Sequence, residues 1–274
     1  MNSLPRNARW GYSREVTLTE RPFAFVGVLH LPPLPGSPRL GPGLAAVIEH
    51  ALRDAEALAE GGAHGCIVEN LGDAPFGVTV EPHVGSMLAV IAAQVRQRFP
   101  HLSVGINALR NDPLASLGAA AASDSQFVRV NVHSGVMVTD QGLIQGRARE
   151  TLLYRNRLGS PIGLVCDVLV KHAAPLAFDD AVQLARDTAR RGGADVLVVT
   201  GSGTGQPVDV ERLRTVAGAV PEVPTWVGSG TTLDTFETVR AHARGAIVGT
   251  ALHRNARLDQ PLDVDVVRAF AAQL

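Results

Sequence analysis

Four side chains that can transfer protons follow apolar, strand-like runs in this sequence. His30 ends the first run and Glu69 ends the second, while Asp167 and Lys171 lie near the end of the fifth. An imidazole or a carboxylate can act as a general acid or base, and a lysine in a partly apolar site can form a Schiff base. We therefore take these four side chains as candidate catalytic residues. The two carboxylates would act on opposite faces of a small, sugar-like substrate.

Lys171 is the single lysine among the 25 basic residues, the other 24 being arginine. Arginine stays protonated in proteins, whereas a lysine can lose its proton in a walled site. If the two-residue period of the strand continues from Asp167 through Leu169, Lys171 points to the same side as Asp167. A charged contact to a phosphate or carboxylate, and an ordinary surface position, are the alternatives that stay open.

Further polar side chains at the same run ends would orient a substrate. These candidate substrate-binding residues are Asn70, Asn107, Arg110, Arg129, Asn131, His172 and Thr200. A buried Arg129 would need a partner, because an unpaired charge inside a protein is costly. Asp167 or Glu69 could neutralise it. Asp112 precedes Pro113 and is expected to cap a helix instead of binding a ligand.

Two late loops combine glycine with hydroxyl residues and predict a phosphate site. The first contains Gly228, Ser229 and Gly230, and the second contains Gly249 and Thr250. Glycine lets the backbone approach an anion closely, and the loops after the last two strands often bind phosphate in an eight-stranded α/β barrel. The loop from Thr200 to Gly205 has the spacing GxGxG and is interpreted as a loop over the ligand.

A divalent metal ion is the less favoured interpretation of the same strand ends. His30, Glu69, Asp167 and His172 could assemble a metal site, but the sequence has no HxH, HExxH or cysteine cluster. We predict no metal and no cofactor. The only two cysteines, Cys66 and Cys166, each lie within an apolar run and are predicted to be buried, reduced thiols.

Eight apolar runs alternate with eight amphipathic stretches and predict an α/β fold. The runs are residues 23–31, 65–69, 103–108, 127–132, 162–170, 195–200, 225–228 and 246–249. The predicted helices are 44–60, 84–98, 113–122, 147–158, 179–191, 208–217, 234–243 and 264–273. Continuous apolar runs indicate strands covered on both faces. Eight such units predict a (β/α)8 TIM barrel, whose active site lies at the carboxyl ends of the strands.

Two segments fall outside this repeat. Residues 1–22 are predicted to form an N-terminal arm, and residues 23–274 a single barrel domain. The stretch 132–146 is longer than a routine loop, and two short apolar runs within it flank Asp140-Gln141-Gly142. We predict a hairpin lid there. The arm could exchange onto a second copy of the chain, so a homo-oligomer is one possible state.

The overall charge excludes several classes of function. Acidic residues number 26 against 25 basic residues, which gives a net charge of −1 and argues against binding nucleic acid through bulk charge. No apolar stretch is long enough to span a membrane, and residues 1–22 lack the apolar region of a secretory signal. We predict a cytoplasmic location.

The same residues resemble the BtpA/SgcQ family over roughly residues 22–255. The matching motifs are GVLHLPPLPGSP from Gly27, VENLGDAPF from Val68, GINALRND from Gly105, RVNV from Arg129, VTDQG from Val138, DVLVKHA from Asp167, GSG from Gly228 and VGT from Val248. The resemblance implies a barrel of the ribulose-phosphate-binding type. It also links the chain to biogenesis of photosystem I, to which the namesake of the family is connected, and to nucleosidase-like labels on SgcQ-like members.

Two functions remain open from the sequence. The first is an enzyme, an isomerase, lyase or nucleosidase-like hydrolase, whose partner is a small phosphorylated sugar or nucleoside-type substrate. The second is a non-catalytic biogenesis or assembly factor that retains the barrel and an anion site. Ionisable groups that converge in a concave site favour a ligand over a pure scaffold.

Overall fold

A closed barrel of eight parallel strands forms the centre of the molecule. The computed structural model describes residues 18–170, 173–176, 180–201 and 209–274. The strands are β1 (Ala24–His30), β2 (Gly65–Glu69), β3 (Ser103–Asn107), β4 (Phe127–Val130), β7 (Gly163–Asp167), β9 (Val196–Val199), β10 (Thr225–Val227) and β11 (Gly245–Val248). They follow one another around the barrel in chain order, and β11 pairs with β1 to close it. The predicted (β/α)8 barrel is confirmed.

The strands are buried along nearly their whole length, as their continuous apolar sequences predict. Their parallel register brings polar strand ends to one level. His30 is paired with Glu69 between β1 and β2, and Glu69 is paired with Asn107 between β2 and β3. Three candidate side chains therefore end neighbouring strands at the same rim of the barrel.

Helices cover the outside of the barrel. They are α1 (Leu44–Gly61), α2 (Pro82–Arg98), α3 (Pro113–Ser123), α4 (Ala148–Leu158), α5 (Ala181–Arg186), α6 (Val210–Ala219), α7 (Leu233–His242) and α8 (Val264–Ala271). The predicted fifth helix is divided, because α5 continues as a π-helical turn over Asp187–Arg191. The sixth begins later than predicted, because Asp209 accepts hydrogen bonds from the backbone N–H groups of Glu211 and Arg212 and so caps it.

Two layers of core hold the barrel together. Outside it, Phe25 from β1 stacks on Phe270 from α8 at 5.7 Å between ring centroids, and Phe236 from α7 meets Phe270 edge-on at 5.3 Å. Inside it, a separate cluster that includes Leu18 and Trp226 fills the barrel. Leu18, which lies in the segment predicted as the N-terminal arm, packs in this inner cluster.

A small three-stranded antiparallel sheet is separate from the closed barrel. Strands β5 (Val136–Thr139) and β6 (Gly142–Gln145) form the predicted hairpin, which is confirmed. A third strand, β8 (Ala174–Pro175), pairs with β5 and was not predicted. Met137 and Ile144 on the inner face are buried. Among the described residues, no helix combines the length and the apolar character that crossing a bilayer requires.

Candidate functional site

The first group at the carboxyl rim of the barrel joins His30, Glu69 and Asn107. The Asn107 amide donates a hydrogen bond of 2.7 Å to Oε2 of Glu69. The other carboxylate oxygen, Oε1, lies 4.0 Å from Nε2 of His30. That distance is too long for a direct hydrogen bond. The imidazole and the carboxylate are thus adjacent at the rim, each held by its own strand.

The second group is a buried ion pair between β4 and β7. Arg129 donates from Nε to Oδ1 of Asp167 and from Nη2 to Oδ2, each at 3.1 Å. The Asn131 amide donates a third hydrogen bond of 3.1 Å to Oδ2 of Asp167. The predicted need of Arg129 for a carboxylate partner is confirmed. Two parallel bonds between a guanidinium and a carboxylate fix the orientation of both side chains.

The charged groups at the rim influence one another. Burial alone would lower the pKa of Arg129, but the carboxylates of Asp167 and Glu69 outweigh it and hold that pKa above its ordinary value. Burial is also the largest cause that lowers the pKa of Arg110, which feels the attraction of Asp167 and Glu69 and the repulsion of Arg129. Two arginines and two carboxylates therefore share one electrostatic environment.

The two predicted phosphate loops reach this environment. A Cβ atom at Gly228 would lie 3.0 Å from Nη2 of Arg129, and one at Gly249 would lie 2.8 Å from Cε1 of His30. Each loop backbone thus packs directly against a candidate side chain. Ser229 Oγ accepts a hydrogen bond of 3.1 Å from the N–H of Gly201. Ser229, Gly230, Gly249 and Thr250 are all half-buried.

Thr200 lies at the end of β9, where its hydroxyl donates a hydrogen bond of 3.1 Å to the carbonyl of Leu169. Leu169 has a φ of 65°, in the left-handed region. Strand β7 consequently ends at Asp167, and the two-residue period that was expected to bring Lys171 to the side of Asp167 does not continue past it. Lys171 and His172 lie outside the described residues, as does most of the GxGxG loop, so their roles stay predictions.

Asn70 braces two loops. Its Oδ1 accepts a hydrogen bond of 2.8 Å from the N–H of Leu109, and its Nδ2 donates one of 3.0 Å to Asp73. Asp73 in turn accepts from the N–H of Leu34. The predicted contact of Asn70 with a substrate stays a prediction. The predicted capping role of Asp112 is confirmed, because its Oδ1 accepts from the N–H of Ala115 at 3.0 Å.

Asn131 contributes an unsatisfied acceptor. Its side chain is buried, and its Oδ1 has no hydrogen-bond partner among the described residues. The amide orientation is fixed, because a flipped amide would turn an oxygen towards Oδ2 of Asp167. A buried amide oxygen without a partner costs free energy, and a hydroxyl or amine of a bound molecule would satisfy it.

The sequence interpretation missed His253. This side chain is 1% exposed and lies in the short turns that follow β11. Its Nε2 lies 3.0 Å from Nδ1 of His30, and the two rings are stacked with their centroids 5.3 Å apart. Its Nδ1 lies 2.6 Å from the carbonyl oxygen of Gln260. The sequence gives little indication of this role, because His253 comes several residues after the last strand and not at its end.

Neither cysteine is suited to act as a nucleophile, and the described residues contain no metal-binding cluster. Both thiols are free and buried, as predicted, and burial raises the pKa of Cys66 to about 12. A thiol with so high a pKa is a poor nucleophile. Within the described ranges, no three His, Cys, Asp or Glu side chains are grouped so that they could hold a metal ion.

Comparison with solved structures shows the same fold in proteins of very different sequence. N-(5'-phosphoribosyl)anthranilate isomerase from Pyrococcus furiosus superposes with a TM-score of 0.55 at 11% identity, covering 92% of this chain and 98% of that one. KGPDC from Streptococcus mutans gives a TM-score of 0.55 at 12% identity, over 92% and 97% of the two chains. At these identities the likeness shows the fold alone.

Sequence comparison is more specific. The Photosystem I biogenesis protein BtpA of Synechocystis sp. is 43% identical over 246 residues, which cover 89% of this chain and 85% of that protein. An uncharacterized protein of Pyrococcus furiosus is 42% identical over 253 residues, or 92% and 94% of the two chains. A family model described as the BtpA family matches residues 21–274. The chain therefore belongs to the BtpA family.

Proposed function

We propose that this protein is an enzyme that binds a small phosphorylated sugar or nucleoside-type molecule at the carboxyl rim of the barrel and transfers protons on it. One observation carries the proposal. Side chains from β1, β2, β4 and β7 bring an imidazole, two carboxylates and a guanidinium together beside two glycine loops. Buried ionisable groups are costly to maintain, and their convergence at one place is typical of a site for chemistry.

The phosphate group is assigned to the loops of Ser229, Gly230, Gly249 and Thr250. Loops in these positions, after the last two strands, often bind phosphate in this fold. Arg129 supports that assignment, because its guanidinium packs against Gly228. Arg110 adds positive charge in the same environment. An anion there would meet a guanidinium, that of Arg129, already oriented by Asp167, so little reorganisation would accompany binding.

The acid and base are assigned to His30 and Glu69. Asn107 holds one oxygen of Glu69 and leaves the other 4.0 Å from His30, so both groups can act on one substrate. Asp167 orients Arg129 and Asn131, and the unsatisfied Oδ1 of Asn131 would accept a substrate hydroxyl. Isomerisation, cleavage of a carbon–carbon bond and hydrolysis of an N-glycosidic bond all use an acid and a base beside groups that orient the substrate.

A thermal-shift panel tests the proposal. Pentose phosphates, hexose phosphates and nucleoside monophosphates are each compared with their dephosphorylated counterparts. A ligand at about 100 times its Kd stabilises a fold by ~2.7 kcal/mol, which raises the Tm of a chain of this size by roughly 5–10 °C. We expect such a shift with at least one phosphorylated compound and not with its counterpart.

Two matched variants locate the binding. Ser229→Trp places a bulky indole in the first of the two phosphate loops at the carboxyl rim and should abolish the shift. Ser86→Trp places the same side chain on the exposed face of α2 and should preserve it. The proposal is wrong if no compound of the panel shifts Tm, or if the shift survives Ser229→Trp.

The name of the Synechocystis relative favours a second candidate, a biogenesis factor that needs no chemistry. A factor of this kind retains the anion site, so it predicts that any compound that shifts Tm is left chemically unchanged on incubation with the protein. It also predicts that Ser229→Trp leaves its assembly role intact. The same two variants therefore separate the candidates, since an enzyme requires the rim and a factor that acts through its outer surface does not.

A further inference from the structure

His253 is held rigidly behind His30. Its backbone N–H donates to the carbonyl of Thr250 at 3.1 Å, and the residue forms an isolated antiparallel bridge with Leu262. Its ring lies nearly parallel to that of His30, with 17° between the planes. A buried, doubly anchored imidazole can impose a hydrogen-bonding direction on its neighbour, because neither ring can turn without losing contacts.

The hydrogen-bond direction follows from the carbonyl of Gln260. A carbonyl oxygen only accepts, so Nδ1 of His253, 2.6 Å away, carries a proton. A neutral His253 then has an unprotonated Nε2, which accepts from Nδ1–H of His30 at 3.0 Å. A neutral His30 that is protonated at Nδ1 has its lone pair at Nε2, the nitrogen that lies 4.0 Å from Glu69.

The other assignment would make His253 an imidazolium. Burial disfavours the charged form of a histidine. The nearby carboxylate of Asp54 is already engaged, because His50 approaches it at 3.2 Å and Arg53 at 3.3 Å, and the N–H of Leu262 also points to it. Glu69 lies on the far side of His30. We take the neutral form of His253 as the premise of the inference, and the ring spectrum described below tests it.

We propose that His253 is a positioning residue that fixes the tautomer of His30, so that Nε2 of His30 is the proton-accepting atom at the barrel rim. This inference rests on the proposed function for its use. In that reaction one proton passes from the substrate to Nε2 of His30 and is later returned to the product. The imidazolium formed in between keeps its Nδ1–H bond to His253 and is stabilised by the Glu69 carboxylate.

Nitrogen-15 NMR of the histidine rings tests the assignment in the ligand-free protein. Protonated and unprotonated ring nitrogens resonate in separate regions, and His30→Asn identifies the signals of His30. We expect a protonated Nδ1 and an unprotonated Nε2 for His30, and the same pattern for His253. A His30 protonated at Nε2, or a His253 protonated at both nitrogens, overturns the proposal.

Two substitutions of His253 distinguish positioning from packing. His253→Gln places an amide oxygen where Nε2 was, so it can still accept from His30 and should preserve the tautomer. His253→Leu fills similar space without an acceptor, and should move the tautomer ratio of His30 about tenfold towards the Nε2–H form. Equal ratios in the two variants would contradict a positioning role, and the wild-type spectrum decides if the leucine variant does not fold.

Failure of this inference is separate from failure of the proposed function. The spectrum reports the tautomer with no ligand present, whereas the thermal-shift panel reports binding with no reference to the tautomer. A correct tautomer with a flat panel would remove the proposed reaction and leave the role of His253 as the organiser of His30. A ligand-induced shift together with a His30 protonated at Nε2 would support the proposed function and remove the positioning role of His253.

Discussion

Arg129 and Asp167 face each other across the neighbouring strands β4 and β7, joined by two hydrogen bonds of 3.1 Å. Both side chains are almost completely buried, at 5% and 0% exposure. An exposed ion pair contributes little to stability, but removing one partner of a buried pair leaves an uncompensated charge. The pair therefore couples the stability of the barrel to the arrangement of its rim.

Neutralising Asp167 should destabilise the protein strongly. Asp167→Asn leaves the Arg129 cation buried without its carboxylate, and we expect the free energy of unfolding in urea to fall by about 3–5 kcal/mol. Glu56→Gln removes a carboxylate from the exposed pair with Arg98 and should cost less than ~1 kcal/mol. Replacing both buried partners, as Arg129→Met with Asp167→Leu, should cost less than Asp167→Asn alone. If Asp167→Asn and Glu56→Gln lowered the free energy of unfolding by the same amount, the Arg129–Asp167 pair would be as solvated as an exposed one.

His64 should make stability depend on pH. Its Nδ1 accepts a hydrogen bond of 3.0 Å from the N–H of Phe25, and burial, with a smaller effect of the Arg21 cation, lowers its pKa from 6.5 to about 4. The folded state thus favours neutral His64, so its contribution is complete above pH 6.5 and is lost as the pH falls towards 4.

Urea titrations at several pH values check this. His64→Asn retains an acceptor without the titration, so its unfolding free energy should decline less steeply over that interval than that of the wild type. His101→Asn, at an exposed position, serves as the matched control and should follow the wild type. If the unfolding free energies of His64→Asn and the wild type declined in parallel with pH, His64 would not be the source of the pH dependence.

The barrel was predictable because burial on both faces of a parallel strand leaves a continuous apolar run, as in β2 and β9. The need of Arg129 for a carboxylate was predictable for a similar reason, since charge burial demands a partner. By contrast, β8 contains two residues, one of them a proline, and carries no strand pattern. The contact of His30 with His253 joins residues 223 positions apart, one of them in an irregular turn, and no local pattern indicates it.

Asn131 should contribute directly to ligand binding. Its Oδ1 lacks a partner among the described residues, and a ligand hydroxyl would supply one. With a ligand from the thermal-shift panel, Asn131→Ala should raise Kd by roughly 2–10-fold, the worth of one hydrogen bond. Asn156→Ala, on the exposed side of α4, should leave Kd unchanged. Calorimetric titration measures Kd for both variants. An unchanged Kd for Asn131→Ala would mean that Oδ1 of Asn131 does not contact the ligand.

Gly249 should control the position of His30. An added Cβ would lie 2.8 Å from Cε1 of His30, closer than real Cβ atoms approach, and 3.1 Å from its Nε2, so either the ring or the loop backbone must shift. The ring is confined on its other side by His253 at 3.0 Å, which limits where it can go. We therefore expect Gly249→Ala to shift the His30 ring resonances and to weaken ligand binding. Gly218→Ala in α6 meets no atom within 4 Å and should be neutral or stabilising by up to ~1 kcal/mol. Unchanged His30 resonances in Gly249→Ala would mean that the loop backbone yields instead of the ring, and the two strand ends would then be coupled less tightly than their packing indicates.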